Sequence, residues 1–203
     1  MPYLMLNTIL LIIFGYLLGS IPWGLLISKI KGIDIRKVGS GNIGGTNVIR
    51  GLGLKWGLLV GVLDVLKGVI PIFLATKFLS LDWQVALVAI TPVLGHIFPV
   101  WLNFKGGKGV ATTVGVLFVL LGWQKFWILL LIWLLILAIF QIMSFANLLL
   151  VSFLPLAFWL SRFSLAYFVL GLALLALTWW AHRENIQRLK EGKEPKFKLR
   201  KTT

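Results

Sequence analysis

The sequence predicts an all-α polytopic membrane protein with about seven transmembrane helices, some of them short. The composition is apolar, the apolar residues form long runs, and most basic residues lie between those runs. Of the 203 residues, 59% are hydrophobic and 13% are charged, whereas a soluble domain is about half apolar and about a quarter charged. We therefore expect residues 1–203 to form a single integral membrane domain.

Seven apolar runs are the candidate spans. They lie at about 3–27, 53–76, 83–101, 109–122, 126–143, 148–160 and 163–181. A full span needs about 20 residues, so the short fourth and sixth runs predict helices that stop inside the protein or line a cavity. Five spans is the alternative count. The first run lacks a basic start and a cleavage site, which favours a retained span over a signal peptide.

The positions of the basic residues predict the orientation. Sixteen of the 20 Lys and Arg residues lie in the first connector, in the loop around 105–108 and in the tail 182–203, which an odd number of spans puts on one side. The opposite side has Lys77, Lys125 and Arg162. The positive-inside rule then predicts an outside N-terminus and a cytoplasmic C-terminus. The net charge of +14 suits anionic lipid headgroups, and we predict no nucleic-acid partner.

Several chemistries are excluded by composition and spacing. The chain has no cysteine, which excludes disulfides, a thiol nucleophile and a Cys-ligated zinc site. None of the six carboxylates are spaced as a metal cage or a glycosidase pair, so we predict neither a metal nor a cofactor. A His-x₄-Asp dyad and a Gly-x-Ser-x-Gly elbow are both missing. The site therefore lacks an obvious strong base.

The first cytoplasmic connector, Gly39 to Arg50, contains a candidate anion site. Its glycines let backbone N–H groups converge, and the Arg50 guanidinium suits a phosphate. A flexible interhelical loop is the alternative. The candidate binding residues are Ser40, Gly41, Asn42, Gly44, Thr46, Asn47 and Arg50.

A second candidate phosphate site lies between Phe104 and Thr113, where glycines and lysines precede an apolar helix. Free N–H groups and the helix dipole favour an anion there. The segment is not a Walker A loop, because Gly109 and not Ser or Thr follows Lys108, and a basic membrane-anchoring turn is the alternative. Two such sites suggest two phosphorylated ligands, or one ligand bound twice. The candidate residues are Lys105, Gly106, Gly107, Lys108, Gly109 and Thr112.

Both histidines fall near the same predicted face. His182 and Asn185 are three residues apart and would share a helix face, which favours a functional role. His96 is either structural or substrate-binding. Asp64 and Lys67 lie within the second run, where isolated charges are costly. They are interpreted as a neutralising pair, or as the lining of a polar cavity or proton path.

These segments resemble a known family, the bacterial acyl-phosphate:glycerol-3-phosphate acyltransferases (PlsY). The resemblance is carried by four cytoplasmic motifs and one intramembrane motif, with apolar spans between them. The matching segments are Gly19–Gly24, Gly39–Arg50, Asp64–Gly68, Gly95–Thr113 and His182–Glu194. Four motifs in order at fitting separations are specific, although Gly45, Trp101 and the Phe145–Asn147 stretch are less usual.

The resemblance implies transfer of a fatty acyl group from acyl phosphate to the 1-hydroxyl of sn-glycerol 3-phosphate, giving lysophosphatidic acid and phosphate at the bacterial inner membrane. The first acylation of phospholipid synthesis would then need no cofactor and no obligate protein partner. The residues expected to orient glycerol 3-phosphate are Ser40, Arg50, Lys108, His182 and Asn185. The turn Gly106–Gly109, Thr112 and Ser144 would hold the acyl phosphate. The donor's phosphate would take the hydroxyl proton; a general base at His182 or His96 is the rival mechanism.

The alternative function is a transporter or flippase for a phosphorylated solute or lipid. Glycine-interrupted spans and intramembrane charges suit transport as well. Against this alternative, the polar groups crowd one face and the spans show no internal repeat. A purely structural membrane subunit would leave both phosphate-suited loops unexplained.

Overall fold

Residues 2–197 are described by a computed structural model, with side chains from residue 5 onward, and they form helices and turns with no strand. The helices are α1 (Pro2–Ser20), α2 (Trp23–Ile30), α3 (Gly45–Leu52), α4 (Leu54–Phe78), α5 (Asp82–Ile97), α6 (Val110–Leu121), α7 (Trp123–Phe140), α8 (Met143–Ser152), α9 (Leu154–Arg162), α10 (Leu165–Ala181) and α11 (Arg183–Lys190). The predicted tail cations Lys198, Arg200 and Lys201 lie outside the described residues.

Four helical segments are long and apolar enough to cross a membrane. They are Met5–Ile30, Leu54–Phe78, Asp82–Leu102 and Trp123–Phe140. The bent pairs α8–α9 and α10–α11 raise the number to six if each is one span. The fourth predicted run is α6, whose 12 residues extend about 18 Å, less than the about 30 Å hydrocarbon core. By length alone, the described residues therefore provide four to six full spans, and α6 is a short helix, as the sequence predicts for the fourth run.

Three helix breaks change the predicted boundaries. The run 3–27 is interrupted before Pro22, whose backbone has no N–H to continue α1. The run 126–143 ends earlier, because Gln141 adopts the left-handed conformation after α7. The sixth run is not short, since α8 and α9 extend it from Met143 to Arg162 with a 42° bend.

Glycines allow α4 to pack closely against two other helices. A Cβ on Gly68 would lie 2.2 Å from the Thr112 carbonyl oxygen in α6, and a Cβ on Gly57 would lie 2.8 Å from the Gly45 carbonyl oxygen in α3. Small residues permit such backbone contact between membrane helices. Because α3 follows the first loop and α6 follows the second, α4 brings the two candidate phosphate loops to the same end of the bundle.

Candidate active site

The first loop is organised by Asn47, which is buried at the start of α3. Its side-chain oxygen accepts a hydrogen bond from the Ser40 N–H at 3.0 Å. Its amide nitrogen lies 2.9–3.1 Å from the carbonyl oxygens of Ile35, Val38 and Asn42. We predicted Asn47 as a ligand contact, but these bonds occupy its polar atoms, so we now assign it to holding the loop.

The other polar groups of this loop either stabilise the loop itself or remain available to a ligand. The Asn42 side chain accepts from the Gly44 N–H at 2.8 Å, so that predicted ligand contact also stabilises the loop. The Ser40 residue is exposed and Arg50 is half-buried. No hydrogen bond to the Arg50 guanidinium is found among residues 2–197, which leaves this cation available to an anion. Gly41 and Thr46 remain predicted ligand contacts.

The second loop turns back over the end of α5. The Gly106 N–H donates to the Ile97 carbonyl, and the Gly107 N–H donates to the His96 carbonyl, both at 3.0 Å. These bonds satisfy carbonyls that the helix end leaves free. The Gly106 and Gly107 N–H groups are therefore not free to bind a phosphate, and ligand binding by the Gly106–Gly109 turn stays a prediction. The free amides are those that open α6 after Gly109, whose positive φ of 73° favours glycine.

Lys108 links the second loop to the C-terminal region. Its ammonium donates a hydrogen bond to the Asn185 side-chain oxygen. Burial lowers the pKa of Lys108 to about 8; the Glu194 carboxylate opposes this shift and the Arg50 guanidinium adds to it. Since charges interact over roughly 8–10 Å at physiological salt, Arg50, Lys108 and Glu194 lie in one region, so the two loops and α11 converge at one site.

Glu194 was not among the predicted site residues, although it connects three side chains of this region. Its carboxylate accepts hydrogen bonds from Ser144 at 2.7 Å, from the Asn185 amide at 2.5 Å and from Arg188 at 2.7 Å. These donors lower the pKa of Glu194, although its burial opposes them. The available signal was weak: Glu194 is the last of three acids in the basic tail, and only cations follow it among the charged residues. Ser144, predicted to hold acyl phosphate, is thus already bound to a protein carboxylate.

His182 is buried between α10 and α11. Its Nδ1 lies 2.8 Å from the Thr178 carbonyl oxygen. A carbonyl can only accept, so Nδ1 carries the proton and Nε2 is left as an acceptor in the neutral ring. The Lys108 ammonium is close enough to interact electrostatically with this imidazole. The site therefore contains one acceptor nitrogen near the Lys108 ammonium.

The remaining predicted residues lie away from this cluster. His96 and Thr112 are buried beneath the second loop, with 3.3 Å between the Thr112 hydroxyl oxygen and His96 Nδ1. Lys105 is exposed and lines a separate open cavity with Arg36 and Trp101. The structure thus brings Arg50, Lys108, His182 and Asn185 together, and it separates Lys105 from them.

The site can bind anions, and comparison with known proteins identifies the family. The family model described as glycerol-3-phosphate acyltransferase matches residues 9–192. The chain belongs to the glycerol-3-phosphate acyltransferase family. Among its relatives, the acyltransferase of Prochlorococcus marinus (strain NATL1A) is 45% identical over 195 residues, covering 93% of this chain and 98% of the relative. The acyltransferase of Aquifex aeolicus (strain VF5) is 42% identical over 193 residues, with coverages of 95% and 100%.

Solved acyltransferase structures have the same fold. The chain matches a crystal structure of PlsY (YgiH), an integral membrane glycerol 3-phosphate acyltransferase in its glycerol 3-phosphate form, with a TM-score of 0.89 and 41% identity. The match covers 94% of this chain and 96% of that one. The lysophosphatidic acid form of PlsY matches with a TM-score of 0.87. The resemblance to the acyltransferase family and the helical membrane fold are therefore confirmed.

Proposed function

We propose that this chain transfers an acyl group from acyl phosphate to the 1-hydroxyl of sn-glycerol 3-phosphate. The products would be lysophosphatidic acid and inorganic phosphate. The observation that carries the proposal is the hydrogen bond from Lys108 to Asn185 near the unpaired guanidinium of Arg50, because it joins the second loop and α11 into one cationic site. The glycerol 3-phosphate and lysophosphatidic acid forms of PlsY support the same acceptor and product.

The chemistry requires little from a protein base. The 1-hydroxyl oxygen attacks the carbonyl carbon of the mixed anhydride, the bond from that carbon to the phosphate oxygen breaks, and the hydroxyl proton passes to the departing phosphate. An acyl phosphate is already activated, so positioning and charge neutralisation supply the acceleration. Arg50 and Lys108 neutralise the phosphates, while His182 Nε2 accepts a hydrogen bond from the hydroxyl group and aligns its oxygen before the proton passes to the phosphate.

The other residues complete the two binding sites. Ser40 and Asn185 orient glycerol 3-phosphate together with these cations. The acyl phosphate is held by the amides that open α6, from Val110 to Thr112, and not by those of Gly106 and Gly107. Ser144 acts through Glu194, which fixes the Asn185 amide.

The membrane orientation is part of the proposal. An outside N-terminus and a cytoplasmic site are supported by the distribution of Lys and Arg, and a bacterial inner membrane is supported by the family resemblance. The natural chain has no cysteine, so single cysteines at Lys77 and Lys190 report on the two sides without background. In intact cells, a membrane-impermeant maleimide should label K77C and not K190C. The reverse pattern would overturn the orientation.

The reaction is tested with purified protein in detergent or lipid. With acyl phosphate and labelled glycerol 3-phosphate, the protein should form labelled lysophosphatidic acid without a partner, and acyl-CoA should not replace the donor. Folded protein that forms no product but moves a phosphorylated solute into liposomes would instead establish transport.

His182→Gln separates positioning from general-base catalysis. Residual turnover within about a hundredfold of wild type supports positioning, because a general base contributes about 10²–10⁴-fold. A loss near the upper end of that range would assign proton abstraction to His182.

A further inference from the structure

A buried polar cluster lies directly beneath the second loop and is not used by the reaction as described so far. At its centre, the Lys67 ammonium lies 2.8 Å from the Ile21 carbonyl oxygen, 3.1 Å from Asp64 Oδ1 and 3.1 Å from His96 Nδ1. Lys67, Asp64 and His96 are each at most 5% exposed. An ammonium has three N–H donors and no acceptor, so these three partners use its full hydrogen-bonding capacity.

This geometry fixes the tautomer of His96. Because Lys67 can only donate, Nδ1 of His96 must accept, and the proton of the neutral ring is on Nε2. Asp64 Oδ1 is 3.7 Å from Nδ1, which is too far for it to accept a hydrogen bond from a protonated Nδ1. His96 therefore presents a donor at Nε2, whereas His182 presents an acceptor at the same ring position.

The Nε2–H of His96 faces the second loop. A Cβ on Gly107 would lie 2.2 Å from this nitrogen, so only glycine allows the loop to pass so close. No hydrogen bond to Nε2 is found within residues 2–197. The Gly106 and Gly107 amides are already bonded to α5. An unpartnered donor on a buried side chain thus points into the turn that precedes α6.

We propose that His96 Nε2–H donates a hydrogen bond to a phosphate oxygen of a substrate bound at the second loop, and that Lys67 is the positioning residue that enforces this tautomer. The ligand chemistry is a phosphate monoester or acyl phosphate anion, and the inference rests on the function proposed above. The lysine also holds the carbonyl freed at the α1–α2 break. Lys67 thereby connects the first span to the imidazole that donates to the ligand.

Kinetics test the donor with matched variants at one position. His96→Gln keeps an N–H near the Nε2 position, whereas His96→Leu removes it. We expect His96→Leu to raise the KM for glycerol 3-phosphate or for acyl phosphate about 10- to 100-fold, as for a lost hydrogen bond to a charged group, and His96→Gln to stay within about fivefold. The KM that changes identifies which phosphate is bound. Equal effects of both variants, or no change in either KM, would overturn the donor role.

The role of Lys67 is tested without leaving a buried charge unpaired. The double variant Asp64→Asn, Lys67→Met removes both charges together, because a single removal would destabilise the protein for other reasons. We expect it to raise the same KM as His96→Leu, since the ring is free to adopt the other tautomer. An unchanged KM in a folded double variant would exclude the positioning role.

Nitrogen NMR reports the tautomer of His96 and its response to ligand, and a purely structural role of His96 would give no response to ligand. The chain has two histidines, so ¹⁵N-histidine labelling of His182→Gln leaves His96 as the only signal. We expect a protonated Nε2 and an unprotonated Nδ1, with the Nε2 resonance moving when glycerol 3-phosphate or acyl phosphate is added. A protonated Nδ1, or no response to either ligand at saturation, overturns the proposal. Wild-type protein that makes no lysophosphatidic acid would instead refute the proposed function.

Discussion

The buried position of Lys108 predicts how the reaction depends on pH. The pKa of Lys108 is lowered to about 8 because burial disfavours its charged form. Binding a phosphate requires the ammonium, so activity should fall as the pH rises through 8. From pH 7 to pH 9 the protonated fraction decreases from about 0.9 to about 0.1, and kcat/KM, which reports the free enzyme, should fall about tenfold.

A matched variant assigns this decrease to Lys108. Lys108→Arg keeps a positive charge well above pH 9, because a guanidinium does not lose its proton in this range. Its kcat/KM should be lower than that of wild type at pH 7 but nearly constant up to pH 9. Initial rates would be measured with a no-enzyme control at each pH, since the donor itself hydrolyses. A flat wild-type profile, or the same fall in both proteins, would refute the assignment.

Three further predictions concern the supports of the site. Asp64→Ala should lower the free energy of unfolding by about 3–5 kcal/mol in detergent, because it leaves the Lys67 ammonium buried without its counter-charge; an unchanged melting temperature would contradict this. Glu194→Ala should lower it by about 3 kcal/mol, since three donors lose their acceptor, whereas Glu191→Ala on the same tail should have no measurable effect. Asn47→Ala should lower kcat/KM about a hundredfold by misplacing the first loop, and activity within a few-fold of wild type would argue against that role.

The helical membrane fold could be predicted because the composition and the spacing of the apolar runs are read directly from the sequence, without knowledge of tertiary contacts. It did not predict the break before Pro22 or the bend between α8 and α9. A hydrophobic run looks continuous whether its helix is straight or broken, and the partner that stabilises a break is remote. The carbonyl of Ile21, for example, is satisfied by Lys67, 46 residues later in the chain.

The site was predicted in part for the same reason. Residues with a charged or amide side chain, such as Arg50, Lys108 and Asn185, could be predicted as site residues, and the fold brings them together at one site. The amides of Gly106 and Gly107 could not be assigned correctly, because a glycine-rich loop does not reveal whether its N–H groups face a ligand or the end of another helix. Glu194 was missed because its importance comes from donors on α8 and α11 that only the folded chain brings together.

The two histidines explain how a site without a strong base could favour acyl transfer. His96 has Nδ1 against a donor and His182 has Nδ1 against an acceptor, so their free nitrogens have opposite character. We infer that donors, including His96 and Lys108, hold the phosphate oxygens, and that His182 Nε2 provides an acceptor for the attacking hydroxyl. That asymmetry orients the hydroxyl hydrogen away from the carbonyl carbon and leaves an oxygen lone pair directed at it. A transporter would gain nothing from such an orientation, because it needs to bind its anion and release it unchanged.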